Sequence, residues 1–274
     1  MTLLSLEEAA AAGIERVGGK ACGLSRLAEL GLPVPPAVVL DASAHAAFVR
    51  DGALGAETAE AVVAAARPLG WPLAVRSSAA DEDAGDKSAA GQYESVMGVG
   101  DAAQLLAAVE HCYRAADSER AQAYRETLPA HPAAVALVLQ REVAAQRAGV
   151  AFSANPVTGA DDEIVVEAVF GHGEGLVSGE LDPDRFWVAR ESGRVRARRS
   201  PKPTAADGRG GVHPLAPERR WARVLLDAEV RRVADLVVTA ERGFGAAVDV
   251  EFCWSLEELW LVQCRPITTL RAAA

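Results

Sequence analysis

Near Ala133 the apolar pattern of this chain changes character, and that change limits its fold more than any single residue does. Upstream, apolar residues recur at helical spacing, as at Leu24, Leu27 and Leu30; downstream they gather into short runs bounded by turn residues. The spacing predicts a helix over Lys20–Leu30, stopped by Gly31 and Pro33, and an extended segment over Ala37–Leu40. It predicts Ala-rich helix over 42–69, a strand over Leu73–Arg76, a long loop over Ser77–Gln92 and helix from Ala102 to about Tyr124. Strands are expected over Val135–Val143, Gly149–Ser153, Ile164–Val169 and Phe186–Ala189. A helix over Pro217–Arg242 and strands over Ala247–Trp254 and Leu259–Arg265 follow. No internal repeat interrupts this order. Mixed helix and strand place the chain in the α+β or α/β class.

With 274 residues, half of them hydrophobic, the chain can bury a sizeable core. Its formal charge of −10 disfavours nucleic acid as a partner unless a local basic patch overrides it. The longest apolar stretch, Ala133–Leu139, is too short to span a bilayer, and the acidic N-terminus does not read as a secretory signal. Cys22, Cys112, Cys253 and Cys264 have no CxxC or zinc-like spacing, so reduced thiols in a cytoplasmic protein are expected.

Three segments could carry chemistry. Gly18-Gly19-Lys20 at a helix start would offer backbone N–H groups and a lysine to phosphate, or would be only a turn with a solvated lysine. It is not a Walker loop, because position 14 is Ile and position 21 is Ala. Arg76, at a strand end beside Ser77 and Ser78, suits a polyphosphate, and a loop ending in Gly91-Gln92-Tyr93-Glu94-Ser95 lies just beyond it. In the last strand pair, Asp249 and Glu251 share one face. A five-residue connection over Ser255–Leu259 sets Glu251 opposite Gln263 and Asp249 opposite Arg265. That face suits Mg²⁺ held against phosphate oxygens, or is a solvated sheet face with one ion pair. Lys20, Lys87 and Lys202 are the only lysines among 28 basic residues, which singles each out. His45 reads as an exposed histidine on an Ala-rich helix, and His172, within a glycine turn, as structural or substrate-side rather than a metal ligand.

Taken in order, VGGKACGLSRLAEL, AVRSSAADEDAGDKSAAGQYES, FSANPVTGADDEIVVEAVFGHGEGLVSGELDPDR and VDVEFCWSLEELWLVQCRPIT resemble the N-terminal nucleotide-binding domain of the pyruvate phosphate dikinase, phosphoenolpyruvate synthase and rifampicin phosphotransferase family. The resemblance implies an α+β ATP-grasp fold with ATP held between two lobes, here 1–139 and 140–274. It implies Lys20 and Arg76 as phosphate contacts and the Gly91, Gln92 and Ser95 loop as a flap over the phosphates. Glu251 and Gln263 would be Mg²⁺ ligands, Asp249 a supporting carboxylate, and Arg265 a γ-phosphate or transition-state contact. Gln140, Glu142 and Val143 would form a hinge that reads adenine. Relative to the family, 40–73 looks short, and the chain stops after Gln263-Cys264-Arg265-Pro266-Ile267, before the carrier-histidine and substrate domains. A phosphotransferase acting on a small-molecule acceptor with Mg-ATP is therefore expected. The alternatives are the ATP-consuming subunit of a split system with a separate phosphohistidine carrier, a non-catalytic nucleotide-binding module, or a ligase.

Overall fold

The computed structural model describes residues 3–80, 94–118, 134–209 and 211–267. The chain divides into two compact units, Met1–Glu29 with Pro35–Glu142 and Leu30–Val34 with Val143–Ala274. Both are built on antiparallel sheets with helices, an α+β arrangement.

In the first unit β1 (Leu3–Ser5), β2 (Ala37–Leu40), β3 (Leu73–Ser78), β4 (Ser95–Val99) and β5 (Ala136–Arg141) form a sheet in the order β1-β2-β5-β3-β4. Its helices are α1 (Leu6–Ala12), α2 (Ile14–Glu29), α3 (Ala42–Asp51), α4 (Ala56–Ala66) and α5 (Ala102–Ala116). Local sequence fixes their starts. Ser5 and Glu8 form a reciprocal capping box at α1, and Asp101 accepts the Gln104 N–H at 2.8 Å at α5. Leu40, Phe48, Leu73, Val75, Leu105, Tyr113 and Leu137 belong to one buried cluster of this unit. The helix expected from Lys20 begins earlier, at Ile14, and is broken at Gly18; Ser77 and Ser78, expected in a loop, continue β3. α5 ends at Ala116, and Tyr124 lies outside the described residues.

The second unit holds a six-stranded sheet in the order β13-β12-β6-β7-β8-β9. Its strands are β6 (Arg147–Phe152), β7 (Glu163–Phe170), β8 (Asp184–Ala189), β9 (Val195–Arg198), β12 (Val248–Ser255) and β13 (Glu258–Pro266), beside a small hairpin of β10 (Thr204–Ala206) and β11 (Val212–Pro214). A short helix, α6 (Glu174–Val177), precedes β8. The long helix α7 (Asp227–Phe244) packs on β12, β6, β7 and β8, burying Val230, Val233, Ala234, Val237 and Ala240 at helical spacing. Sequence spacing put its start at Pro217. That proline supports only a 3₁₀ turn, and the helix begins where the Glu229 carboxylate accepts the Leu226 N–H at 2.7 Å.

Lys202 is structural. Its ammonium and Asp184, both buried, form an ion pair; Asp184 also accepts the Ser200 and Val224 N–H groups at 3.0 and 2.9 Å. Such a pair is kept because removing one partner strands the other charge. Lys87 lies outside the described residues.

The β12–β13 hairpin turns on Leu256 and Glu257, and Leu256 is a non-glycine residue with positive φ, 56°. Glycine is favoured at the first central position of a two-residue hairpin turn with positive φ only there. Leu256 is 72% exposed, so little packing is lost on replacing it. Leu256→Gly should stabilise the protein by about 0.5–1 kcal/mol, read as a higher midpoint in urea unfolding. A lower midpoint would show that the leucine side chain matters to the turn.

Candidate functional site

Gly18 has φ 77° and ψ 167°, a region open essentially to glycine, and this breaks α2 just ahead of Lys20. The break lies directly on the end of β3, since a Cβ on Gly18 would stand 2.1 Å from the Ser78 carbonyl oxygen. The Ser78 hydroxyl donates to the Val17 carbonyl at 2.7 Å and accepts the Ala21 N–H at 3.0 Å, while the Gly19 N–H donates to the Ala79 carbonyl at 2.9 Å. The Gly19 N–H, one of the backbone donors of the Gly-Gly-Lys segment, and the neighbouring Ala21 N–H are thus taken by Ala79 and Ser78. Lys20 is not a solvated lysine. It is buried, and its Nζ donates to the Ser77 carbonyl at 2.7 Å.

Ser77 also holds Glu94, the residue before β4. Its N–H and hydroxyl both donate to the Glu94 carbonyl, at 3.2 and 2.7 Å. Arg76, next to it, pairs in register with Ser95 on β4 and Val138 on β5. Gly91 and Gln92 lie outside the described residues. Cys112 faces the same corner, where burial pushes its thiol up to about 12 and keeps it neutral.

Gln140 lies on β5 between Ala37 of β2 and Ala74 of β3, and so belongs with Glu142 to the first unit rather than the second. Its side-chain amide donates to the Pro35 carbonyl at 3.4 Å. The N–H groups of Arg141 and Glu142 donate to the carbonyls of Pro36 and Pro72 at 2.8 and 3.0 Å, and the Glu142 carboxylate accepts the Gly98 N–H. Those two N–H groups are therefore not available to a base. Val143 opens the second unit.

His45 is a further correction. It is fully buried, not exposed. Its Nδ1 accepts the Val135 N–H at 3.1 Å, which puts the proton on Nε2, 3.2 Å from Asp117. His172 is held by its backbone N–H on the Ala206 carbonyl at 3.1 Å, and its ring covers Gly208, where a Cβ would approach to 2.5 Å.

In the second unit Asp249 stands opposite Arg265 and Glu251 opposite Gln263, the expected register. The route differs: the connection is a two-residue turn, and a bulge after Glu251 restores the count. Arg265 Nε donates to Asp249 Oδ2 at 3.1 Å. Val248, Val250 and Phe252 are buried on the other face of β12, the helix-covered one. The site face continues across the sheet as cross-strand rows, one running Gln263, Glu251, Val150, Glu167, Arg185 and Arg198. Glu167 and Arg185, which pair at 2.5 Å across consecutive strands, were missed in the sequence because their link to Glu251 depends on the distant β12–β6 pairing. Among the described residues no group of three or more His, Cys, Asp or Glu could hold a metal by itself. Cys253 pairs across with Trp260 and Cys264 with Val250, and none of the four cysteines forms a disulfide.

Comparison with known proteins decides the family. Residues 57–274 match the model for "pyruvate phosphate dikinase, AMP/ATP-binding domain". The chain belongs to this family. It is 35% identical to the prodigiosin synthesizing transferase PigC of Serratia marcescens over 93% of this chain and 32% of that protein. A probable phosphoenolpyruvate synthase of Methanocaldococcus jannaschii is 28% identical over 97% of this chain and 26% of its own length. The rifampicin phosphotransferase of Streptomyces sviceus is 36% identical over 72% of this chain and 23% of its own. The chain thus spans about a third or less of these relatives. Among solved structures, the D-alanine-D-alanine ligase of Coxiella burnetii aligns with TM-score 0.43 and 10% identity over 92% of this chain and 48% of that one. The family assignment makes this an ATP-binding domain. No described helix is long and apolar enough to cross a membrane.

Proposed function

We propose that this ATP-binding domain acts in phosphoryl transfer of the ATP-grasp type, moving phosphoryl from Mg-ATP to a small-molecule acceptor. The observation that carries this reading is the β12–β13 register, which sets Glu251 opposite Gln263 and Asp249 opposite Arg265 on the sheet face away from α7. The donor chemistry fits Mg²⁺: one carboxylate and one amide oxygen leave the remaining positions to water and phosphate oxygens, the ion's usual arrangement. Magnesium bound there would neutralise charge on the phosphates. Arg265, kept in place by Asp249, would face the transferred group; the family resemblance separately assigns phosphate contacts to Lys20 and Arg76.

Ion-exchange analysis of nucleotides after incubation with Mg-ATP and a small-molecule filtrate of the native cells tests the reading. ADP supports direct transfer. AMP would assign dikinase-type chemistry instead, and neither product despite ATP binding would overturn a direct transfer by this chain. Lys20→Ala should weaken ATP binding about tenfold by calorimetry, about 1.4 kcal/mol. An unchanged dissociation constant would leave Lys20 a structural residue that holds Ser77.

A further inference from the structure

Between Arg185 and Arg232 thirteen basic residues stand against five acidic ones, a local charge of +8 in a chain that totals −10. Part of this excess is paired with acids outside the segment, Arg185 with Glu167, Arg190 with Glu241 and Lys202 with Asp184, but Arg196, 3.8 Å from Glu163, and Arg198 lie on β9, the edge strand of the second unit's sheet, which among the described residues pairs only with β8. Arg196 and Arg198 alternate along β9 and are exposed, with Arg199 beyond them. Arg196 lies 3.9 Å from the Trp187 ring centroid, and Arg199 Nη1 donates at 3.4 Å to the carbonyl of Trp221, a tryptophan 59% exposed.

The backbone of β9 offers more than charge. The Ala189 N–H donates to the Arg194 carbonyl at 3.0 Å, so the alternation of an antiparallel ladder turns the amides of Arg196 and Arg198 toward β8. The N–H and C=O groups of Val195 and Ala197 therefore point out of the open edge. A partner that satisfies both features is an extended chain with acidic side chains. Self-pairing of two β9 edges is disfavoured, because it sets Arg196 and Arg198 of one copy against those of another.

We propose that β9 is a docking edge for an extended acidic peptide segment, which adds to the sheet as a seventh strand and sets its carboxylates among Arg196, Arg198 and Arg199. This holds whether or not the catalytic reading above is right, since no residue of that reading takes part.

The test uses the full chain and a fluorescein-labelled decapeptide alternating glutamate with threonine. Fluorescence anisotropy should show salt-sensitive binding, absent for the lysine–threonine counterpart. The double variant R196E/R198E should weaken binding at least tenfold, and Ala197→Pro, which removes an outward donor while sparing the ladder to β8, should do the same. Arg67→Glu, in the first unit, should leave it unchanged. Hydrogen exchange on the unaltered protein should slow at Val195 and Ala197 when peptide is present, a readout that stands even if a variant fails to fold. No binding would overturn the proposal. So would binding that follows charge without protecting those amides, tighter capture of decathymidylate than of peptide, or sedimentation showing that a second copy occupies the edge.

Discussion

Glu251→Gln should lower the rate of phosphoryl transfer from Mg-ATP at least about 100-fold, some 2.7 kcal/mol of transition-state stabilisation, while the dissociation constant for ATP shifts only a few-fold. The substitution keeps size and one carbonyl oxygen but removes the charge that would hold Mg²⁺ on this face. Its effect should fall on kcat, because the interaction at stake tightens as charge develops on the transferred group. The fold should be spared. Glu251 is only partly buried, and its neighbours in the row, Gln263 and Val150, stay paired through the backbone. Product analysis and calorimetry on one preparation separate the effects. Full activity in the variant would remove Glu251 from the metal, and loss of ATP binding would make it a nucleotide contact instead.

The β12–β13 register was legible because strand parity and the charges at 249, 251, 263 and 265 agree. A five-residue connection gives those pairs, and so does the observed two-residue turn with one bulged residue. The pairs could be read although the turn could not. The sheet beyond them was less visible. The Glu251–Val150–Glu167–Arg185 row needs three pairings at once, one of them between β12 and β6, far apart in sequence, and two across connections whose register local periodicity does not encode. β9 was overlooked for another reason: Val-Arg-Ala-Arg has no apolar run, because an edge strand exposed to solvent does not need one. His45 was misjudged because its alanine neighbours look alike on every side of the helix, while its partners, Asp117 and Val135, are 72 and 90 residues away.

Gly18→Ala should be the most damaging substitution of a single small residue near Lys20. Gly-Gly-Lys could be seen in the sequence, but not why the first glycine is required. A methyl group there meets two separate penalties. The backbone conformation at φ 77°, ψ 167° costs a non-glycine residue about 1–3 kcal/mol. The Cβ would also lie 2.1 Å from the Ser78 carbonyl oxygen and 2.4 Å from its hydroxyl, so one side must move, at about 1–3 kcal/mol more. Relief is not local. Ser78 ties Val17 to Ala21, and the neighbouring Gly19–Ala79 and Lys20–Ser77 bonds register the same helix break on β3. Pushing the strand end away would therefore carry Lys20 with it. A thermal midpoint lower by roughly 10 °C is expected, at about 2–4 °C per kcal/mol for a protein near this size, together with weaker ATP binding in whatever fraction remains folded. Ser78→Ala removes the hydroxyl but leaves the carbonyl, so it should cost stability without rescuing the glycine variant. If Gly18→Ala melts at the original temperature and binds ATP as before, the contact between this break and β3 does not position Lys20.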